Sequence, residues 1–490
     1  MSLEANIDGP FRPAETPVLT ASALAGAGRA VPANFAIDLE AGQGNDRLEM
    51  LEILRVLPGR RVVGRARWRG QTVLAKLFVA QGTERAAASE AEGLRLLKAA
   101  AIPAPAVLLS AGFAGGGQAL LLEYLESARS LAAVWSDAMA LREVMLANLR
   151  LVFALLGRLH ASGYGHADLH LGNILLAQGR CYLIDGDAVR SFPAGARERE
   201  SAQTDNLALW CAQLPLWTIS AWPEALNAYT DAGAALPEVG RFDAAVDAAR
   251  RRRLQHFLAK TGRDCTQFAL ERHFSCVTVS VRAVHDVLSD ALNRRDAWVR
   301  EGTMLKDGRT STVARVSAGD LDCVVKRYNL KNLRHALSRC WRPSRAWHSW
   351  RAGHLLRHLG VATPEPLAVL EERLGFLRRR AFLVTRHCAG RSLLDHLDAS
   401  RAPSAEEAEA LLEFFRALHL MRIEHGDLKA TNLLWHEGRI WVIDLDAIRL
   451  HDSRKTYARA WRRDRSRFLA NWPEGSRLRA WLDTRLPAAD

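Results

Sequence analysis

A lysine, two aspartates and an asparagine recur in the same order at two places in the 490-residue chain. In the first set, Lys76 lies at the end of a β-rich run. It precedes His166-Ala-Asp168-Leu-His-Leu-Gly-Asn173 and Ile184-Asp185. In the second set, Lys326 precedes His425-Gly-Asp427-Leu-Lys-Ala-Thr-Asn432 and Ile443-Asp444. An aspartate on a polar loop can orient a hydroxyl nucleophile and accept its proton. The asparagine five residues on, and the aspartate twelve beyond that, are hard oxygen donors suited to Mg²⁺. A strand lysine can neutralise phosphate oxygens. These are the parts that phosphoryl transfer needs, because its catalysis is chiefly positioning and charge neutralisation. Asp-x4-Asn alone is common by chance. The full ordered set, present twice, is not.

The elements that must position these groups repeat as well. Gly165 to Asp185 matches Glu424 to Asp444 at an offset of 259 residues, so the chain reads as an internal duplication. Each copy runs through a β-rich segment ending in lysine, a helical stretch, and an extended Pro-containing segment (Ile102-Pro-Ala-Pro; Val361-Ala-Thr-Pro-Glu-Pro). An apolar strand follows, then helices, then the polar loop with a β-hairpin whose turn carries Gly179 or Gly438. Residues 1–44, rich in Ala, Gly and Pro, read as a loosely packed N-terminal arm. The boundaries expected are 45–290 for the first copy and 296–490 for the second, with 196–290 mostly helical. The run Arg250 to Arg253 reads there as a solvated helix face.

Composition bounds the rest. Hydrophobic residues make up 49% and charged residues 25%, an ordinary globular balance that excludes wholesale disorder. The most apolar stretch, Leu149 to Leu159, is interrupted by Arg150 and Arg158, and the first residues lack a secretory-signal pattern. The expected location is therefore cytoplasmic. Seven scattered cysteines, Cys340 among them, with no Cys-x-x-Cys, argue against a disulfide framework or a zinc site. Residues 1–290 carry 30 basic and 30 acidic residues, whereas 291–490 carry 37 and 24, so the whole net charge of +13 lies in the second part. Such an imbalance suits an anionic partner, or simply a soluble surface. Only 8 of the 67 basic residues are lysines, Lys331 included, which singles out Lys76 and Lys326.

At these motifs the sequence resembles the protein-kinase-like superfamily. His166 to Asn173 looks like the catalytic loop of small-molecule kinases. His425 to Asn432 looks closer to the serine/threonine pattern, with Lys429 where those kinases place a phosphate-contacting lysine. Within the superfamily the chain is most similar to the bacterial lipopolysaccharide core kinases, the Kdo/heptose kinase family, through Trp350 to Pro366 and the endings Ile-Asp-Gly-Asp187 and Ile-Asp-Leu-Asp446. The resemblance implies an α+β chain of two tandem bilobal kinase-like domains, each with a small β-rich N-lobe and a mostly helical C-lobe, the second C-lobe shortened. It implies ATP and Mg²⁺ as cofactors, Asp168 and Asp427 as catalytic bases, and Lys76 and Lys326 as phosphate anchors. Asn173 with Asp185, and Asn432 with Asp444, would hold the metal. The implied acceptor is a sugar hydroxyl of an anionic glycolipid, reached from the cytoplasmic face of the inner membrane, with the basic second half as the peripheral contact.

The chain departs from the superfamily pattern in two places. The turns at Leu57-Pro-Gly59 and Lys306-Asp-Gly308 lack the G-x-G-x-x-G spacing of a nucleotide-covering loop. Kinases pair the strand lysine with a helical glutamate, which Glu90 supplies in the first copy, with Glu92 as the fallback. Ser349 stands at the equivalent position in the second, leaving Lys326 without an evident partner. The lysines and aspartates also have plainer readings as strand-end cations and loop caps. His166 and His425 read as loop-packing residues, and Asp187 and Asp446 stay undecided between steadying the loop and binding an arginine. The competing functions are a serine/threonine protein kinase, an active domain regulated by a degenerate one, and a non-catalytic scaffold. Nucleic-acid binding rests on charge alone and ranks last.

Overall fold

The computed structural model describes residues 16–40, 46–137, 142–329, 344–375 and 377–488. Lys331, Cys340 and residues 1–15 of the expected arm lie outside the described residues. The chain divides into two compact units: Met1–Leu214 with Ser220–Ala249, and Pro215–Ile219 with Arg250–Asp490. In each, a β-rich part precedes helices.

The β-rich part of the first unit is a closed antiparallel barrel in the order β1-β2-β3-β4-β6-β5. Its strands are β1 (Phe35–Glu40), β2 (Asp46–Leu57), β3 (Arg61–Trp68), β4 (Gln71–Phe78), β5 (Val107–Phe113) and β6 (Gly117–Glu123). Side chains alternate across a strand, so every second residue faces inward. Phe35, Ile37 and Leu39 of β1 fill the interior with Val73, Ala75 and Leu77 of β4 and Ala119 and Leu121 of β6. The expectation of a loose arm is overturned for residues 16–40. The short helix α1 (Ala21–Gly26) buries Ala21 and Leu24 in this core, and β1 pairs with both β2 and β5. Its alternating Phe-Ala-Ile-Asp-Leu is a strand pattern too short to stand out beside Ala and Gly.

Helix α2 (Glu84–Ala99) connects β4 to β5. Its buried residues Ala87, Glu90, Ala91, Leu94 and Leu97 recur every three or four positions and form one stripe. Glu90 is the only charged member of it. Among the helices that follow, Arg142–Ala161 is long and apolar enough to cross a membrane by length and composition. Its Leu149, Val152, Phe153 and Leu156 are instead buried in the first unit, and Gly157 admits the backbone of Tyr229 from the Trp222–Asp231 helix. Arg150 on its outer face pairs with Glu224.

The second unit carries a seven-stranded sheet. Its order is Phe268–Arg272, Cys276–Val281, Pro366–Leu374, Leu377–Arg386, Leu321–Tyr328, Ser311–Ala318, Thr303–Asp307. The first two strands lie within the stretch expected to be helical and to belong to the first copy. They pair instead with Pro366–Leu374, from Cys276 opposite Glu372 to Ser280 opposite Ala368. The β-branched alternation of Cys-Val-Thr-Val-Ser-Val explains the strand, and the main stretch of the second unit accordingly runs from Arg250 rather than 296. The basic run is corrected with it. Arg250 is buried, and Arg251 lies 2.5 Å from Asp452, so part of the run packs within the second unit. Helices Arg345–His358, Ala405–Met421, Arg454–Leu469 and Arg477–Arg485 complete this unit.

Candidate active sites

In the first unit, strand alternation decides where Lys76 points. Its neighbours Ala75 and Leu77 face into the barrel, so Lys76 projects outward, and the charged position of α2 meets it there. Lys76 Nζ donates to Glu90 Oε1 at 2.5 Å and to Asp185 Oδ1 at 2.9 Å. Glu90 is fully buried, and the N–H of Gly186 donates to the same Oε1 at 3.2 Å. Arg61, which leads out of the β2–β3 turn, lies 3.7 Å from Glu90 Oε2, a contact that sequence reasoning missed. Burial pushes the Glu90 carboxyl above its ordinary value despite Lys76. Asp185 goes the other way: burial would raise it, but the Lys76 and Arg61 cations outweigh that and hold it below the usual range. Gly93 is what lets α2 lie this close, because a Cβ there would run into the Gly186 carbonyl. The fallback Glu92 is exposed and pairs with Arg95.

The loop between Gly165 and Asp185 is tied down by buried polar groups. His166 Nε2 donates to the carbonyls of Ile184 and Asp185, both at 3.0 Å. Burial pushes its imidazole below the ordinary value, so at neutral pH it is an uncharged tether. The Asn206 amide brackets the His166 peptide, accepting its N–H at 3.2 Å and donating to its carbonyl at 2.9 Å. Asn173 Nδ2 donates to the Asp168 carbonyl at 2.9 Å, which leaves its oxygen as the atom for a cation. The Asp168 carboxylate itself is exposed, with His170 Nε2 at 3.5 Å. Asp185 has φ of 63° and Asp444 of 57°, a left-handed conformation that costs a non-glycine residue and marks both loops as held in place by their surroundings. The hairpin turns carry positive φ at Gln178-Gly179 and Glu437-Gly438, as a two-residue turn between twisted strands requires.

The second unit solves the lysine problem differently. Lys326 Nζ lies 2.7 Å from Asp444 Oδ1 and 2.9 Å from Asp446 Oδ2. Ser349, on the helix where the first copy has Glu90, donates its hydroxyl to Asp446 Oδ1 at 2.7 Å, and Tyr328 donates to the same oxygen at 2.6 Å. Tyr328 follows Lys326 by two residues, where the first copy has Phe78. Two positions therefore differ together. The loop aspartate is common to both copies, but here it replaces the missing helix carboxylate as the partner of the lysine, and two hydroxyls satisfy it. Lys326 and the two hydroxyls outweigh burial and hold Asp446 below the usual carboxylate range. Its counterpart Asp187 is exposed. Lys326 thus has a partner, supplied by a residue whose role the sequence left undecided.

Asp427 is also more enclosed than Asp168. Lys429 Nζ lies 3.0 Å and Arg467 2.8 Å from its Oδ1, and Asn432 Nδ2 donates to its carbonyl at 2.9 Å. Asp464 takes the place of Asn206, accepting the N–H groups of His425 at 2.6 Å and Gly426 at 3.1 Å. Both Asp464 and Arg467 come from the Arg454–Leu469 helix, where spacing three apart puts them on one face. Neither was foreseen, because nothing in a basic helix marks which arginine reaches the Asp427 loop. Lys429 and Arg467 outweigh the desolvation of Asp427 and hold it below its ordinary value. Arg467→Ala removes a cation that favours the charged form, so the Asp427 carboxyl will titrate at higher pH. Carboxyl-selective NMR titration checks this; an unmoved or lowered midpoint would show that Arg467 does not set its charge.

The two glycine turns that depart from the nucleotide-loop spacing are both formed between strands. Gly59, with φ of 66°, lies in the β2–β3 turn, and Gly308 lies between Thr303–Asp307 and Ser311–Ala318. Among the described residues, no group of three or more His, Cys, Asp or Glu side chains could hold a metal. The Asn–Asp pairs fit Mg²⁺ nonetheless, since that ion is commonly held by one or two protein oxygens with substrate phosphates and water completing its shell.

With this geometry in hand, comparison with known proteins is decisive at the level of family. The lipopolysaccharide kinase (Kdo/WaaP) family model matches residues 58–214 and again 290–468. The chain belongs to that family. The double match agrees with an internal duplication of a Kdo/WaaP-type unit. The chain is 31% identical over 131 residues to a 3-deoxy-D-manno-octulosonic acid kinase of Xanthomonas campestris pv. campestris, a stretch covering 25% of this chain and 51% of that protein. A protein of the same name from Mannheimia succiniciproducens is 30% identical over 95 residues, covering 19% and 40%. The human serine/threonine-protein kinase RIO3 is 31% identical over 86 residues, covering 15% and 16%. The chain thus spans about half or less of the curated relatives it matches. Among solved structures, WaaP in complex with acyl carrier protein is similar with a TM-score of 0.31 at 19% identity, over 42% of this chain and 87% of that one.

Proposed function

We propose that this Kdo/WaaP-family chain transfers a phosphoryl group from ATP to a sugar hydroxyl of the lipopolysaccharide inner core. The observation that carries the reading is the buried Lys76–Glu90–Asp185 cluster set against a loop that presents Asp168 and Asn173. Lys76, oriented by Glu90, meets the ATP phosphates. The exposed Asp168 carboxylate orients the sugar hydroxyl and accepts its proton. Asn173 and Asp185 hold Mg²⁺, which when bound neutralises charge on the phosphate oxygens. Asn432 and Asp444 are the corresponding pair in the second copy, with Lys326 and Lys429 beside the nucleotide. In this reading the acceptor is anionic and lipid-linked, which the net charge of +13 supports, and it is met at the cytoplasmic face of the inner membrane.

Label transfer from γ-labelled ATP tests the reading, with extracted inner-core glycolipid and a generic protein as competing acceptors. Mg²⁺-dependent label in the glycolipid is the expected result. The Lys429–Asp427 pair and the similarity to RIO3 favour the runner-up, a serine/threonine protein kinase. Faster labelling of protein would put that reading in its place.

A further inference from the structure

Two hairpin turns of the second unit lie side by side at one end of its sheet. One, residues 273–275, joins Phe268–Arg272 to Cys276–Val281, and the other joins Pro366–Leu374 to Leu377–Arg386. The Arg373 N–H donates to the Ser275 carbonyl at 2.7 Å, so the two tips are bonded to each other. They present apolar side chains to solvent: Phe274 is 80% exposed, Leu374 60% and Leu377 38%. No other large apolar side chain among the described residues is as exposed as Phe274. Isolated exposed leucines need no explanation, but three such side chains on two joined tips do.

The surroundings indicate what covers them. Segments 272–275 and 373–379 carry four arginines and no carboxylate. Arg373 and Arg378 lie 3.0 and 3.1 Å from the single buried Glu371, while Arg272 and Arg379 are exposed and have no ion pair among the described residues. Apolar tips with a basic rim suit the boundary of an anionic bilayer, where the rings and aliphatic chains enter the acyl region and the guanidinium groups stay at the phosphates. Three side chains on two turns are too small for a stable protein interface, which buries about 800 Å² on each partner. Strand register adds a further argument. Ser311 pairs with Tyr328, Tyr328 with Ala381 and Ala381 with Glu371, so the turn at Gly308 leaves the sheet at the same end as the two tips.

We propose that the paired tips insert Phe274, Leu374 and Leu377 into an anionic lipid leaflet and anchor the second unit there. The proposal deepens the glycolipid reading and rests on it for which membrane is met. Flotation of the full chain with phosphatidylcholine vesicles, with and without phosphatidylglycerol, tests it. Wild type is expected to float with the anionic vesicles only. The Phe274→Ser, Leu374→Ser, Leu377→Ser variant is expected to bind them about tenfold or more weakly, and Arg272→Gln with Arg379→Gln to weaken binding and its salt dependence. All of these residues are exposed, so transfer to a delipidated, water-soluble core oligosaccharide should stay at the wild-type rate. Absence of wild-type flotation, or triple-variant binding equal to wild type, overturns the anchor. Vesicle binding lost in the triple variant, with no transfer by wild type to any acceptor, supports the anchor and sinks the kinase reading instead.

Discussion

Asparagine in place of Asp168 is expected to lower phosphoryl transfer by about 10²–10⁴-fold, the usual contribution of a positioned general base, and to leave nucleotide binding intact. The side chain keeps its shape, and Asn173 bonds the Asp168 backbone carbonyl rather than its carboxylate, so the loop should hold. The Lys76–Glu90–Asp185 cluster does not involve Asp168 and should go on binding phosphate. Asp427→Asn is the informative comparison and is expected to cost less. In the structure the Asp427 carboxylate is already engaged by Lys429 and Arg467, whereas Asp168 stands open to an acceptor. Single-turnover assays on both variants, with nucleotide affinity measured in parallel, check the assignment. A larger loss in Asp427→Asn would make the second copy the working one.

The second large effect is expected at Asp446, and it bears on stability as well as chemistry. Asp446→Asn removes the negative charge that Lys326 meets at 2.9 Å and weakens the acceptor that Tyr328 and Ser349 share. Charge-assisted hydrogen bonds of this kind are worth about 1.5–3 kcal/mol each, so destabilisation of about 2 kcal/mol is expected, Asp444 remaining as a partial partner. The urea midpoint of the second unit's transition measures it. Adding Ser349→Glu and Tyr328→Phe rebuilds the first copy's arrangement around the same lysine, with the carboxylate on the helix. That variant should regain most of the lost stability. If it stays at the level of Asp446→Asn, a helix carboxylate cannot stand in for Asp446 beside Lys326.

The two lysine clusters show what could be read from the chain. Asp168, Asn173 and Asp185 were legible because their spacing is local and repeated, and Glu90 because it occupies one slot in an apolar helical stripe. Asp446 was not. It meets Lys326 from 120 residues further along the chain, and its role shows only when Tyr328 in place of Phe78 and Ser349 in place of Glu90 are seen as one compensated change. Arg467 and Asp464 were hidden for a related reason: seven Lys and Arg residues crowd the Arg454–Leu469 helix, and only tertiary packing selects which reaches the Asp427 loop. The domain boundary failed on topology. Strands Phe268–Arg272 and Cys276–Val281 belong to a sheet whose remaining strands begin at Thr303, so no local pattern assigns them.

Strand β1 has a practical consequence for handling the first copy. It closes the barrel by bonding β2 on one side and β5 on the other, although it precedes the family match, which begins only at residue 58. A fragment cut to the matched residues would lose the whole of β1 and β2 and expose strand edges with unpaired N–H and C=O groups. Such edges recruit other chains. Expression trimmed to the matched residues should therefore give insoluble material, whereas a fragment that keeps Thr20 and everything after it retains its own seal.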